Sequence, residues 1–419
     1  MASIEAYEAF LRGGEEWSQF IAVQKDDLID LTFADLCGKD LRNRPILRCN
    51  LSAAIMENAN LDGAQLRDCI MSGANLSHSS LVGCTLTNIR ASGLHVTNTT
   101  VRDTVISSTV LTEVTGDAFH LITTELLDTT LATLRLSHAT VRQARFARCK
   151  VRCLQGFRVT LIASTFTSCE LSEWKLEQPE IGECEFGDCK VSDFNLTDGE
   201  LVGSRLSRSV ICRFKSHSTA VRKADLFQTV VTDTDVSAIG PDTAVLLNTA
   251  FAQCNWPQQK GSVNWLGVYR PSPYLLAQPI HDVRGVPPGV RRDAADAQYL
   301  VRLLGGARGR KLILLRIWGA TSAYGQSLGR LITASAVIVL CHAFALLGAR
   351  HQLVGTHPHP GLLVSAFWEA ALAFFGLSDI TTVRYLADVI VVSLRVCGFL
   401  ALGVWVSIAA VKVSRLGSE

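Results

Sequence analysis

The chain has 13 cysteines but no Cys-x-x-Cys pair, and it holds only three methionines, 11 prolines and 7% aromatic residues. Without paired cysteines at ligand spacing, the cysteines do not read as a zinc site. No nucleophile–base pair, phosphate-cradling loop or metal-ligand spacing occurs, so an enzyme is the poorest functional class, and neither a catalytic residue, a metal site nor a cofactor is expected. No charge sign dominates: 40 Lys and Arg face 38 Asp and Glu, a net of +2, which gives no footprint for nucleic acid over the whole chain. A secretory leader is also absent, and the expectation is a reducing compartment with free thiols.

What is present is a period of five. Counting every fifth residue from Leu31 gives Leu31, Leu36, Leu41, Ile46, Leu51, Met56, Leu61 and so on to Leu246, Phe251 and Trp256. Of these 46 positions 42 are apolar, the exceptions being Gly116, Gly156, Ser216 and Pro241, against an average of 48% apolar. Two residues before each lies a second series that is Ala, Cys, Ser, Thr or Gly at 31 of 45 positions. Neither an α-helix nor a flat strand has this period, but a solenoid does.

One large and one small side chain per five residues point inward if the chain turns a corner after each unit. Four corners close a square coil of 20 residues, with successive coils stacked at the inter-strand spacing of about 4.8 Å. Residues 31–256 then form about eleven coils, a rod on the order of 50 Å long. Units such as Ala34-Asp35-Leu36, Ala59-Asn60-Leu61, Ala74-Asn75-Leu76 and Ala224-Asp225-Leu226 resemble the A(D/N)LXX repeats of the pentapeptide-repeat family. The resemblance implies a right-handed quadrilateral β-helix over 31–256.

Eight cysteines, Cys49, Cys69, Cys84, Cys149, Cys169, Cys184, Cys189 and Cys254, fall on the small inward series. They are expected as buried fillers, with Cys149, Cys169 and Cys189 in one internal ladder. Residues 1–30 are out of register and read as a helical cap, with Ile4, Tyr7, Phe10 and Leu11 on one face, covering an otherwise open solenoid end. His78, His95, His120, His138 and His217 lack ligand spacing and read as residues of solvated faces. Some pentapeptide-repeat proteins imitate DNA, which calls for a strongly acidic rod; 24 acidic against 22 basic residues in 31–256 argue against it. The rod reads as a scaffold or a surface for an unknown cytosolic ligand or protein.

Composition changes after Trp256. Residues 257–330 hold 11 basic and three acidic residues and read as a basic helical linker or juxtamembrane neck. Its prolines lead to a helix expected from Asp293, as N-cap, to Leu304, before Gly305-Gly306. The cluster Arg308 to Lys311 before Leu312 to Trp318 suits an amphipathic helix on a cytoplasmic membrane surface, and nucleic-acid binding is the competing use. Residues 331–349 carry no formal charge and are long enough to span a bilayer; 389–411 form a second candidate span, interrupted by Arg395. Between them, 361–377 is apolar but carries Glu369, and reads as a third span or a re-entrant helix. Arg330 on one side and Lys412 with Arg415 on the other place both termini in the cytoplasm and require an even number of crossings, favouring the re-entrant reading.

The segment 365–380, followed by a long apolar helix, resembles the two-transmembrane pore module of the potassium-channel-like superfamily. Phe374-Phe375-Gly376-Leu377-Ser378-Asp379-Ile380 aligns with that family's T-x-G-Y-G-D-I filter, keeping Gly376, Asp379 and Ile380. Phe374, Leu377 and Ser378 replace the threonine, the tyrosine and the second glycine. Potassium selectivity therefore does not carry over, and Phe374 with Phe375 offer an apolar constriction instead. The resemblance implies a homotetramer conducting an inorganic ion, with Phe374, Phe375, Gly376, Leu377, Ser378, Asp379 and Arg395 at the pore and Glu369 on the pore helix. Arg395 inside a span forms a cationic ring or pairs with Asp388, seven residues earlier. The expectation is a multi-pass protein of the inner or plasma membrane, an oligomeric channel with a cytosolic β-helix. The alternative is a membrane-tethered scaffold without conduction.

Overall fold

The computed structural model describes residues 3–24, 27–239, 244–256, 261–272, 282–325, 327–348, 353–354, 362–377, 381–382 and 385–416. The chain forms two compact units, Met1–Gln259 with Pro273–Gln298, and Lys260–Ser272 with Tyr299–Glu419.

The first unit is a β-solenoid of about 11 turns. Its three-residue strands pair in parallel with a constant offset of 20: Leu66 lies on Leu86, Leu121 on Val141, Leu171 on Val191 and Leu176 on Leu196. Nearly every described five-residue unit shares one geometry, the exception being Val236–Ile239, which forms a short 3-10 turn. The large residue and the small one two places earlier point inward, as Leu171, Leu176, Cys169 and Cys184 show, all at most 3% exposed. The residue two places after the large one turns the corner in left-handed backbone, from Phe33 (φ 58°) and Arg48 (φ 52°) through Asp128 (φ 50°) to Gln253 (φ 54°). Non-glycine residues in this region cost about 1–2 kcal/mol each. The corners persist because their N–H groups still bond the next coil, as from Asn58 to Ser77 (2.9 Å) and from Asp103 to Ile122 (3.1 Å). The Asp or Asn before the large residue supports the same turn: Asn60 Oδ1 accepts from the Asp62 amide (3.0 Å) and Asn75 Oδ1 from that of Ser77 (3.0 Å).

The breaks in the large series are compensated inside the coil. Gly116, Gly156 and Ser216 follow Val114, Leu154 and Phe214 at the normally small position, and Ala91 follows Ile89; all four of these partners are buried. The exchange keeps interior volume near constant, as close packing demands. A Cβ on Gly116 would come within 2.8 Å of Val96 Cγ2, and one on Gly156 within 2.5 Å of Val159 Cγ2. Pro241, the fourth break, lies outside the described residues. Interior aromatics stack between coils: Phe146 on Phe166 (4.5 Å), Phe166 on Phe186 (4.9 Å) and Trp174 on Phe194 (4.6 Å). Small inward hydroxyls satisfy carbonyls of the coil below, as Thr99 does for Leu76 and Ser79 for Met56, both at 2.7 Å. All 13 cysteines are free; Cys149, Cys169 and Cys189 stand above one another, and the amide of Cys149 points to the sulfur of Cys169 at 3.4 Å.

Both ends of the stack are covered. At the start, α1 (Ile4–Arg12) and α2 (Gly14–Val23) meet at Gly13 (φ 65°). The buried cap residues are Ala6, Phe10, Trp17 and Ile21, whereas Ile4 and Leu11, expected on the covering face, are exposed. The Trp17 ring meets Phe10 edge-on at 4.8 Å and its Nε1–H donates to the Pro45 carbonyl (2.6 Å). Arg44 donates to the Phe10 carbonyl and covers that ring, and its partial burial pushes its pKa down. At the other end, the Arg284 amide donates to Thr249 (2.9 Å), and Val283, Val286 and Ala294 complete the apolar core. The helix expected from Asp293 starts earlier: α3 spans Pro288–Gly305, since proline suits the first turn, where its missing N–H costs nothing.

The second unit contains a hairpin (Ser262–Val263 against Tyr269–Arg270) and four helices: α4 (Gly309–Ser322), α5 (Leu328–Gly348), α6 (Leu362–Phe374) and α7 (Tyr385–Leu416). Three successive left-handed residues, Ala323, Tyr324 and Gly325, reverse the chain between α4 and α5. In α4 the apolar residues do not form one stripe: Ile313, Leu314 and Ile317 are exposed, while Leu315 and Trp318 pack beside Val263, Ala323 and Tyr324. Helices α5 and α7 contain windows, Leu328–Gly348 and Asp388–Val406, long and apolar enough to cross a membrane.

Candidate functional site

The solenoid surface is built by the same register. Corner residues 20 apart face each other, so a single Arg and Asp at corresponding corners make a bidentate pair. Arg148 bonds Asp128 (2.7 Å), Arg208 bonds Asp188 (2.8 Å) and Arg213 bonds Asp193 (2.6 Å). On a flat face Arg205 bridges Glu185 and Asp225, each at 3.1 Å. The guanidiniums hold the carboxyls of Asp128, Asp188 and Asp193 below the usual range, and Arg42 holds Asp40 at about 2 through a side-chain hydrogen bond. Among the described residues no group of three His, Cys, Asp or Glu could hold a metal ion. His138 accompanies Asp117 (2.8 Å) and His95 accompanies Thr115 (2.9 Å), both on exposed faces.

A pH dependence follows. Carboxyls depressed below their ordinary 3.8 stabilise the fold fully above that value, and lose the contribution as pH falls through their folded values, about 2 for Asp40. The thermal midpoint should therefore fall modestly between pH 5 and pH 3, since exposed pairs are individually weak. Asp188→Asn should lower the midpoint more at pH 5 than at pH 3, because part of the pair's contribution is already lost at the lower pH; an equal shift at both values would exclude the pair as the cause.

In the second unit, α5, α6 and α7 share an apolar core of Val339, Ala343, Leu346, Ala370, Ala373, Phe374, Val391, Leu394 and Ala401. Phe374 is buried there, at 4% exposed, while Phe375 beside it is 54% exposed, its ring edge-on to that of Phe374 at 5.5 Å. The chain then turns through Gly376 (φ 74°), leaving Leu377 exposed. Ser378 and Asp379 lie outside the described residues. Gly398 on α7 lies against the Phe374 carbonyl so closely that a Cβ there would collide with backbone, so glycine sets the approach of α6 to α7. Glu369 is half-buried on α6, and Arg395 half-buried on α7, one residue from the core position Leu394.

His342 on α5 was not singled out by its sequence, because it lies within a stretch counted only for lacking formal charge. Its Nδ1 faces the Ile338 carbonyl (2.8 Å) and its Nε2 the Ser393 hydroxyl on α7 (3.1 Å), which itself reaches the Ile390 carbonyl (2.9 Å). A carbonyl accepts only, so Nδ1 carries a proton. With a neutral ring, Ser393 donates to Nε2; with an imidazolium, Nε2 donates and the serine proton turns to Ile390. A polar link between two apolar helices thus survives in either protonation state.

The Pentapeptide family model, described as pentapeptide repeats in 8 copies, matches residues 49–88 and 69–107. Among solved structures, the chain is 15% identical to HetL, a pentapeptide repeat protein involved in heterocyst differentiation regulation from the cyanobacterium Nostoc sp. strain PCC 7120. That match covers 59% of this chain and 95% of HetL, with a TM-score of 0.24. It is 16% identical to full-length QnrB1, a plasmid-mediated fluoroquinolone resistance protein, over 54% of this chain and 89% of that one, with a TM-score of 0.18. No curated protein matches the chain. The solenoid thus carries pentapeptide repeats that match the family model over residues 49–107, and it is followed in the chain by a helical region with two potential membrane spans.

Proposed function

We propose that the chain is a subunit of an oligomeric membrane ion channel, with the pentapeptide-repeat solenoid as its cytosolic scaffold or sensor. The observation that carries this reading is α6. At 13 residues it is about 20 Å long, too short for a hydrocarbon core of about 30 Å, yet it is apolar and packs against both potential spans. A short helix ending in a left-handed glycine between two spans suits a re-entrant segment, and irregular backbone at membrane depth is tolerated where it lines water. One subunit with two spans encloses no water path, so several must surround an axis; the pore resemblance implies four. Right-handed winding, multi-pass insertion and cytoplasmic termini belong to the same reading. The partners are the bilayer, further copies of the chain and an inorganic ion.

The purified full-length protein in planar bilayers, under asymmetric potassium chloride, is expected to show discrete current steps whose reversal potential reports cation or anion preference. A correctly assembled oligomer that stays silent across voltages would favour the membrane-tethered scaffold.

A further inference from the structure

The hairpin 262–270 was invisible as an element in a stretch expected to be linker. Its tip is a rigid turn: Asn264 Oδ1 accepts from the amides of Leu266 (3.0 Å) and Val268 (2.9 Å), and the Asn264 amide donates to the Val268 carbonyl (3.1 Å). That turn presents two large apolar side chains outward, Trp265 at 69% and Leu266 at 76% exposure. Gly267 (φ 70°) lies against the backbone of Arg316 and Ala320 on α4, where no side chain fits. The Tyr324 hydroxyl donates to the Gly267 carbonyl, fastening the turn further.

The most telling contact is Arg330. It is the third residue of α5, whose apolar window begins at Leu328. Its guanidinium donates to the carbonyls of Val263 and Asn264 (3.1 Å for the latter) and lies over the Trp265 ring at 4.9 Å. The tip is therefore held at the end of the potential span. The cations Arg270, Arg302, Arg308, Arg310, Lys311, Arg316 and Arg330 belong to the same unit, and residues 299–330 contain no Asp or Glu.

We propose that Trp265 and Leu266 form a lipid-binding anchor, seated at the headgroup–acyl boundary of an anionic bilayer at the end of α5. Resting on the membrane reading above, this adds a surface outside the spans. Tryptophan suits that depth because its ring is apolar and its N–H polar. Two apolar residues on a turn locked by Asn264, Tyr324 and Arg330 enter it with little ordering left to do. Arg330 at the tip and the further cations of the same unit match anionic headgroups, while the absence of carboxylates from residues 299–330 removes repulsion there.

The test uses the full-length chain in vesicles of phosphatidylcholine and phosphatidylglycerol. The photoreactive residue p-benzoylphenylalanine replaces Leu266, or Val337 on the exposed face of α5, or Arg142 on the solenoid, and lipid adducts are read by mass spectrometry. Adducts are expected at 266 and 337 and not at 142. The adduct at 266 should fall severalfold when phosphatidylglycerol is omitted, and severalfold when Arg330→Gln releases the turn. Adducts at 337 without any at 266, or cross-linking of 266 to protein instead of lipid, would overturn the anchor and leave the membrane reading standing. Adducts at neither site would remove both.

Discussion

Leu196→Asp is expected to unfold the central coils of the solenoid, whereas Arg142→Glu should leave them intact. Leu196 has no exposed surface, pairs in register with Leu176 and Ser216, and follows Phe194 of the interior aromatic stack. Losing a buried leucine costs about 2–5 kcal/mol. A carboxylate buried without a partner adds about 3–5 kcal/mol more, by analogy with broken buried pairs. Together these reach the whole stability of a typical domain, about 5–15 kcal/mol. Because each coil in a solenoid is held by its neighbours alone, the damage should centre on adjacent coils. Limited proteolysis should then cut near residues 176–216 in the Asp variant, and the thermal transition should broaden or vanish. Arg142 is exposed, and its reversal should stay within about 0.5 kcal/mol of the parent. Equal tolerance of the two changes would mean that the inward register is misassigned.

That register was legible because it is a property of one side-chain class at one spacing. Leu, Ile, Val, Met and Phe recur where a square coil must be filled, and seven of the eight cysteines in the small series are buried, Cys254 near the end of the stack being half-buried. The corners were not legible. Positions 48, 53, 78 and 123 hold Arg, Ala, His and Thr, and nothing in that set signals left-handed backbone. There the conformation is imposed by inter-coil hydrogen bonds, which override residue preference. The compensated breaks were equally hidden: Gly156 looks like a defect until Leu154 is seen filling the same coil. The end covers depended on long-range contacts too. Trp17 reaches the Pro45 carbonyl, 28 residues away, and this fixes which cap residues turn inward better than helical spacing within 1–30.

In the second unit the apolar windows were legible by composition, since 18 or more apolar residues are a one-dimensional signal. The partners of Arg330, His342 and Gly398 were not, because each contact joins segments 51 or more residues apart or depends on backbone approach. The adjacent phenylalanines show the limit most directly. Sequence treats Phe374 and Phe375 alike as a constriction; the helix ending there turns one into the core and the other outward.

Those two residues give the last expectation. Phe375→Ala should raise basal current severalfold if the exposed ring narrows the water path, because removing an apolar gate lets it wet. Phe374→Ala should instead reduce the yield of assembled protein, since the buried ring fills space between α6 and α7, and unit conductance in survivors should change little. Arg395→Ala on α7 is the companion. As a hypothesis, one half-buried arginine per subunit forms a cationic ring, so its removal should move the reversal potential toward cation preference, by tens of millivolts under a salt gradient. The alternative role of Arg395 is structural, toward Asp388 seven residues earlier. In that case Arg395→Ala would lower assembly with selectivity unchanged, and an Arg395→Ala, Asp388→Ala double-mutant cycle would show coupling of about 0.5–3 kcal/mol. Planar-bilayer recordings separate the gate, the ring and the core by three different observables. Identical currents and assembly in all three variants would take α6 and α7 out of the water path altogether.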